Sequence, residues 1–152
     1  MGIVHTARFD TPIGELTLAS TEEGLAYVGL PYANGRGFAG WQQRHARNAT
    51  VEQGFEPNRK AISQLHEFLE GKRQVFDLEL DLRATPFQLD VYRVLEEIPY
   101  GESISYAEVA RRMGRPRAVR PVGAANAANP IPLVIPCHRV VAADGHLHGY
   151  AG

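Results

Sequence analysis

The chain has 152 residues, 44% of them hydrophobic, a formal net charge of -1 and a single cysteine. That length allows one good core or two small ones, and the composition excludes a disordered chain. No apolar run approaches the roughly 20 residues that span a bilayer, no leader pattern opens the sequence, and a lone thiol suits a reducing compartment, so a cytoplasmic protein without a membrane partner is expected.

Residues 4–10, 15–20 and 25–30 read as strands of a small antiparallel sheet, parted by Thr11-Pro12-Ile13-Gly14 and by residues 21–24. Residues 31–57 are rich in Gly, Asn, Arg and Gln with little periodicity, which predicts a long loop holding at most one irregular helix around Trp41. Asn58 predicts the cap of a helix whose apolar face is Ala61, Ile62, Leu65, Phe68 and Leu69 and whose end is Gly71. That helix should cover one face of the sheet. Residues 76–82 alternate Phe, Asp, Leu, Glu, Leu, Asp, Leu, the period-2 pattern of a strand with one buried face.

After Arg83 the pattern turns helical. Thr85-Pro86-Phe87-Gln88 joins a threonine N-cap, a proline at the first helical position and a capping-box glutamine, and the apolar face is Phe87, Val91, Val94, Leu95 and Ile98. Pro99-Tyr100-Gly101 stops this helix, and Ser105-Tyr106-Ala107-Glu108 is a second capping box opening a helix through Met113. Past Arg115-Pro116-Arg117 a third helix is predicted over about 118–128, with Pro121 tolerated in its first turn and Asn129-Pro130 closing it. The whole reads as an α/β (α+β) fold: a small N-terminal antiparallel sheet with a helix, then a mainly helical C-terminal part with helix-turn-helix order.

Between Glu108 and Asp144 the chain carries Arg111, Arg112, Arg115, Arg117, Arg120 and Arg139 and no acid. Charge clusters are usually solvated faces, but the planar fork of arginine suits phosphates and base edges, and these residues flank the helix-turn-helix. The third helix contains Gly123, Ala124, Ala125, Ala127 and Ala128. So slender a helix either packs tightly within the protein or enters a narrow groove, such as the DNA minor groove of about 6 Å.

Pro130, Pro132 and Pro136 stiffen the approach to Cys137-His138-Arg139 and predict an extended segment. A free cysteine is most often a small buried hydrophobe. A nucleophilic thiolate, by contrast, needs a cation, a helix N-terminus or a base beside it, and His138 and Arg139 are at hand. In an extended segment neighbouring side chains face opposite ways, so His138 would reach Cys137 through a water or a local turn.

Pro136-Cys137-His138-Arg139-Val140 resembles the active-site motif of the methylated-DNA–protein-cysteine methyltransferases, the O6-alkylguanine-DNA alkyltransferases. The likeness runs nearly continuously over 85–152, through Pro86-Phe87-Gln88, Ile98-Pro99-Tyr100-Gly101-Glu102, Ser105-Tyr106, Val122-Gly123-Ala124-Ala125-Asn126, Asn129-Pro130-Ile131-Pro132 and Gly149-Tyr150. It implies a ribonuclease H-like α/β domain over 1–83 and a DNA-binding, alkyl-acceptor domain over 84–152. It also implies direct repair of double-stranded DNA: Cys137 takes the O6-alkyl group of guanine as a thioether, once per molecule, with no cofactor and no obligate protein partner.

By the same resemblance, His138 helps to deprotonate Cys137, Tyr106 contacts the flipped base, and Asn129 braces the active-site turn. Arg120 takes the place of the extruded nucleotide, with Gly123, Tyr106, Ala107 and Arg115 along the DNA, although a small residue is more usual where Pro121 follows. Tyr150, preceded by Gly149, closes an alkyl pocket with Pro132 and Val140. Family members continue past that tyrosine into a leucine-rich helix whose glutamate orients the histidine; the sequence ends at Gly152, so the second domain is expected to lack that helix, with Asp144 as a candidate acid. Some members hold zinc in the first domain through cysteine and histidine; this chain has no cysteine there, and no metal is expected. The alternative function is an alkylated-DNA recognition protein with little or no transfer because of the short C-terminus, a class in which tryptophan stands where Cys137 does. A helix-turn-helix regulator or a cysteine hydrolase fits the cysteine motif less well.

Overall fold

The computed structural model describes residues 2–31 and 37–142. The chain divides into two compact units, Met1–Arg83 and Ala84–Gly152.

In the first unit, β1 (Ile3–Thr11), β2 (Gly14–Thr21) and β3 (Gly24–Gly29) form two hairpins, as the spacing of turn residues dictates. Thr11 Oγ1 donates to the Gly14 carbonyl at 2.6 Å and accepts from the Ile13 N–H at 3.2 Å, which fixes the first turn. The sheet is mixed rather than wholly antiparallel, because β4 (Thr50–Gln53) adds to β1 in parallel and gives the order β3-β2-β1-β4. This strand falls inside the stretch read as loop; all four of its residues are exposed, so no apolar alternation marks it. Around Trp41 the chain forms a regular helix, α1 (Gly37–His45).

The strand expected over 76–82 is not one. Its side chains alternate in burial as far as Leu80, yet its only ladder contact among the described residues is a bridge to Leu25, made by Leu25 N to Glu79 O at 2.9 Å and Asp81 N to Leu25 O at 2.8 Å. The Gln64 side chain satisfies the Asp77 backbone instead, donating to its carbonyl at 3.0 Å and accepting from its N–H at 2.9 Å. Gly24 permits this approach, since a Cβ there would lie 2.4 Å from the Glu79 carbonyl oxygen.

The helix α2 (Arg59–Leu69) buries Ala61, Ile62 and Leu65 and ends at Gly71, where φ is +77°. Asn58 stands at its N-cap position without capping it; the side-chain amide donates instead to the His5 and Gly54 carbonyls at 3.1 and 2.9 Å, tying the helix entry to β1. His66 of α2 packs on Phe9, which pairs across the sheet with Leu16, whereas Trp41 of α1 clusters with Val4, Ala19 and Tyr27. Alternation of side chains along a strand therefore puts the two helices on opposite faces.

The second unit opens with α3 (Pro86–Glu96), whose Thr85 side chain accepts from the Gln88 N–H while the Gln88 side chain accepts from the Thr85 N–H, both halves of the capping box. After a two-residue strand β5 (Ile104–Ser105) come α4 (Tyr106–Arg112) and α5 (Val119–Ala127), joined by a short turn. Ser105 caps α4 by accepting from the Glu108 N–H at 3.0 Å, but the Glu108 carboxylate binds Arg111 and Arg112 rather than completing the box. Val91, Leu95, Ile98, Val109, Val122, Ile131, Ile135 and Val140 are all buried. Past a 3₁₀ turn at Cys137–Arg139, β6 (Val140–Val141) pairs in parallel with β5, so the strand leaving the cysteine lies beside the strand entering α4. Among the described residues no helix is long and apolar enough to cross a membrane.

Candidate active site and nucleic-acid interface

The loop from Asn129 to Pro136 is held by one side chain. Asn129 accepts from the Ile131 N–H at 3.0 Å and donates to the Ile135 carbonyl at 2.8 Å, while Ile135 N donates back to Ile131 O at 2.9 Å. The tightness shows at Leu133, the one non-glycine residue with positive φ among the described residues, at 73°. The Ile135 carbonyl also accepts from the Cys137 N–H at 2.8 Å, across a Pro136 whose φ of -80° and ψ of 65° are those of an inverse γ-turn. Pro132 and Val140 are both buried.

Cys137, His138 and Arg139 do not continue the extended approach but form a 3₁₀ turn, the local turn expected as one of the two ways for His138 to reach Cys137. Successive side chains in such a turn are about a third of a revolution apart, so the separation argued for an extended strand does not apply. Cys137 is 2% exposed, and its carbonyl accepts from the Asn126 side chain at 3.3 Å. Burial, aided by the Arg139 charge, pulls the His138 pKa down to about 4, so its imidazole is neutral at physiological pH. Arg139 itself turns inward: it donates to the Ile98 carbonyl at 2.8 Å and lies 5.6 Å above the Tyr100 ring.

Tyr106, first residue of α4, has its pKa raised by burial, against a hydrogen bond from the Asn126 side chain, with a further upward push from Cys137. Tyr92 is raised in the same way, by burial first and then by Cys137, and its hydroxyl donates to the Ala125 carbonyl at 2.8 Å. Two protonated phenols thus lie within electrostatic reach of the sulfur. Tyr92 is singled out by no sequence pattern, and Asn126 enters only as the last residue of the Val122–Asn126 stretch, with no role attached to it. The one local signal for Asn126 is an amide standing among alanines on a helix whose neighbouring position, Ala125, is buried.

On the outer side, the other five arginines divide. Arg111 and Arg112 share the single Glu108 carboxylate at 2.6 and 2.8 Å, and their hydrogen bonds hold that carboxyl down to about 2. Arg115, Arg117 and Arg120 are exposed and have no carboxylate partner among the described residues, with Arg115 lying 5.7 Å over the Phe87 ring. Helix α5 turns Val122, Ala125 and Asn126 inward and Arg120, Ala124 and Ala127 outward, and Ala107 on α4 is exposed too. Among the described residues a Cβ built at Gly123 would meet nothing within 4 Å, so none of them requires the lack of a side chain there for close packing. Asp144, Gly149 and Tyr150 lie outside the described residues.

Two family models match the chain. One, described as the ribonuclease-like domain of 6-O-methylguanine DNA methyltransferase, covers residues 4–82; the other, described as its DNA binding domain, covers residues 86–152. A methylated-DNA–protein-cysteine methyltransferase of Methanosarcina acetivorans is 41% identical over 148 residues, 97% of this chain and 90% of that protein. A constitutive protein of the same name from Bacillus subtilis is 41% identical, over 94% of this chain and 84% of its own length. The crystal structure of Mycobacterium tuberculosis OGT in complex with DNA aligns with a TM-score of 0.81 at 38% identity, covering 98% of this chain and 84% of that one.

Proposed function

Since the chain belongs to the methylated-DNA–protein-cysteine methyltransferase family, we propose that it repairs DNA directly, moving the alkyl group from O6 of a guanine in duplex DNA onto Cys137. The observation that carries the reading is the placement of the sulfur: 2% exposed, held in a braced turn, with a neutral imidazole next in the chain and two protonated phenols in electrostatic reach. A sulfur so recessed meets no atom of a stacked base, so the guanine must leave the helix to reach it, as enzymes that act on bases require.

In this reading Cys137 is the nucleophile and His138 relays its proton outward. With a pKa near 4 that imidazole is too weak a base to keep the proton, which suits a relay to solvent. The thiolate attacks the alkyl carbon in line with the C–O6 bond; the C–S bond forms, the C–O6 bond breaks with its electron pair passing to the guanine, and the released base regains a proton from water. Tyr106 donates a hydrogen bond to the base as that charge develops. Asn129 keeps the turn in place. Arg120 fills the gap left in the duplex, Gly123, Ala107 and Arg115 lie along the DNA, and Pro132, Val140 and Tyr150 enclose the alkyl group. The thioether is stable to water, so each molecule acts once. A thiol that must stay reduced suits the cytoplasm.

Recognition without transfer is not favoured: Cys137 stands where recognition proteins carry tryptophan, and the relatives are named for methyl transfer. The test is an intact-mass measurement after mixing with an O6-methylguanine duplex. The native chain is expected to gain one CH₂, located on Cys137, and Cys137→Ser to gain none; binding without any mass change would contradict the proposal.

A further inference from the structure

Asn126 is 1% exposed at the inner face of α5. Burying an amide whose groups find no partners is costly, so a primary amide survives in such a place only where its donors are used. Here they are used twice. Nδ2 donates to the Cys137 carbonyl at 3.3 Å, and the same amide hydrogen-bonds the Tyr106 hydroxyl. Its Oδ1, in contrast, is buried with no hydrogen-bond partner among the described residues, a cost that alanine, present on both sides of it in sequence, would not incur. Asn126 thereby joins three elements: α5, the first residue of α4 and the cysteine turn.

Resting on the alkyl-transfer reading above, we propose that Asn126 is a positioning residue of the reaction, one amide that both holds the backbone of the nucleophilic cysteine and sets the Tyr106 hydroxyl as a donor toward the leaving guanine. A phenol oxygen that accepts from an amide directs its own O–H away from that amide, and the bond favours negative charge on the oxygen. The sulfur acts the other way, since its charge raises the Tyr106 pKa. Before attack the two influences oppose each other and the phenol holds its proton. As the C–S bond forms and the C–O6 bond breaks, negative charge leaves the sulfur for the guanine; the opposing influence vanishes while the Asn126 bond remains. Tyr106 becomes its strongest as a donor at the moment the departing base needs one.

The test is a double-mutant cycle on the single-turnover rate, with Asn126→Ala and the near-isosteric Asn126→Asp each made in the native and Tyr106→Phe backgrounds. Free O6-benzylguanine and an O6-methylguanine duplex serve as substrates, and a thermal melt of every variant checks folding. Either change at Asn126 is expected to slow transfer about tenfold or more on both substrates in the native background, and by several-fold less once Tyr106 is phenylalanine, where only the hold on the Cys137 backbone, and for aspartate the anion near the sulfur, still count. Asn126→Asp also places an anion beside the phenol and the sulfur, and should move the pH profile of the rate upward by about one unit. Equal losses in both backgrounds, or an unchanged rate and profile in whichever variant folds, would overturn the proposal. A native chain that transfers nothing to Cys137 would instead remove the alkyl-transfer reading itself, and this inference with it.

Discussion

The ring of Pro136 fixes φ near the value that an inverse γ-turn needs, and that turn delivers the Cys137 N–H to the same Ile135 carbonyl that Asn129 holds. Prolines are legible in a sequence as rigidity; the direction of the bend is not, because ψ at Pro136 is decided by hydrogen bonds to residues upstream. His138 shows the same limit. Its neighbour in sequence was plain, but its neutrality comes from burial that only the folded turn supplies. Because its pKa is lowered from 6.5 to about 4, the unfolded chain binds a proton there that the folded one does not. The resulting stability is fully present above about pH 6.5 and is lost as pH falls through about 4. His45 is lowered too, by burial and then by Arg44 and Arg83, so the contribution of His138 is read by difference. Urea midpoints should fall less steeply between pH 6.5 and 4 in His138→Gln than in the native protein; parallel curves would place the imidazole in water. Arg120, exposed and without a carboxylate partner among the described residues, is expected to matter only when a base must be extruded. Extrusion costs a few kcal/mol, so Arg120→Ala should slow transfer from duplex DNA by about tenfold or more and transfer from free O6-benzylguanine by less than about twofold. Equal losses on both substrates would remove the residue from that role.

At the scale of the element, helices whose signals are local were legible. Thr85 and Gln88 specify the start of α3 within four residues, and both hydrogen bonds of the box are present. Elements whose identity depends on distant partners were not. Residues 76–82 have the alternation of a strand, but Gln64 takes the Asp77 backbone groups and leaves one bridge to Leu25. Strand β4 has no alternation, yet forms because β1 offers it a free edge. Helix α5 left two readings open, internal close packing or entry into a groove, and the space around Gly123 favours the second. Gly123→Ala should therefore stabilise the fold, by about 0.5–1 kcal/mol from helix propensity, while weakening reaction with duplex DNA. A lowered melting temperature, or an undiminished rate on duplex, would show that the gap at Gly123 has no bearing on DNA.

Over the whole molecule, the net charge of -1 hides the arrangement that matters, since acids elsewhere balance arginines gathered on one helix-turn-helix. Within the unit Ala84–Gly152, α5 carries Arg120 on its outer face and Asn126 on its inner one, so the helix proposed to meet DNA is the helix bonded to the cysteine turn. The unit Met1–Arg83 buries side chains of its own on both faces of its sheet, Leu16 and Leu18 on the face of α2 and Trp41 with Val4 and Ala19 on the face of α1. Its hairpins were legible from Gly and Pro at the turns, whereas the order of its strands depends on pairings far apart in sequence. The central claim is that Cys137 is a terminal acceptor, and counting the guanines repaired per chain with O6-methylguanine duplex in excess tests it most directly. Repair is expected to rise and stop at one guanine per molecule, with the alkyl group found on Cys137. Repair that continues past that ratio, or that stops there with Cys137 unmodified, would contradict the account.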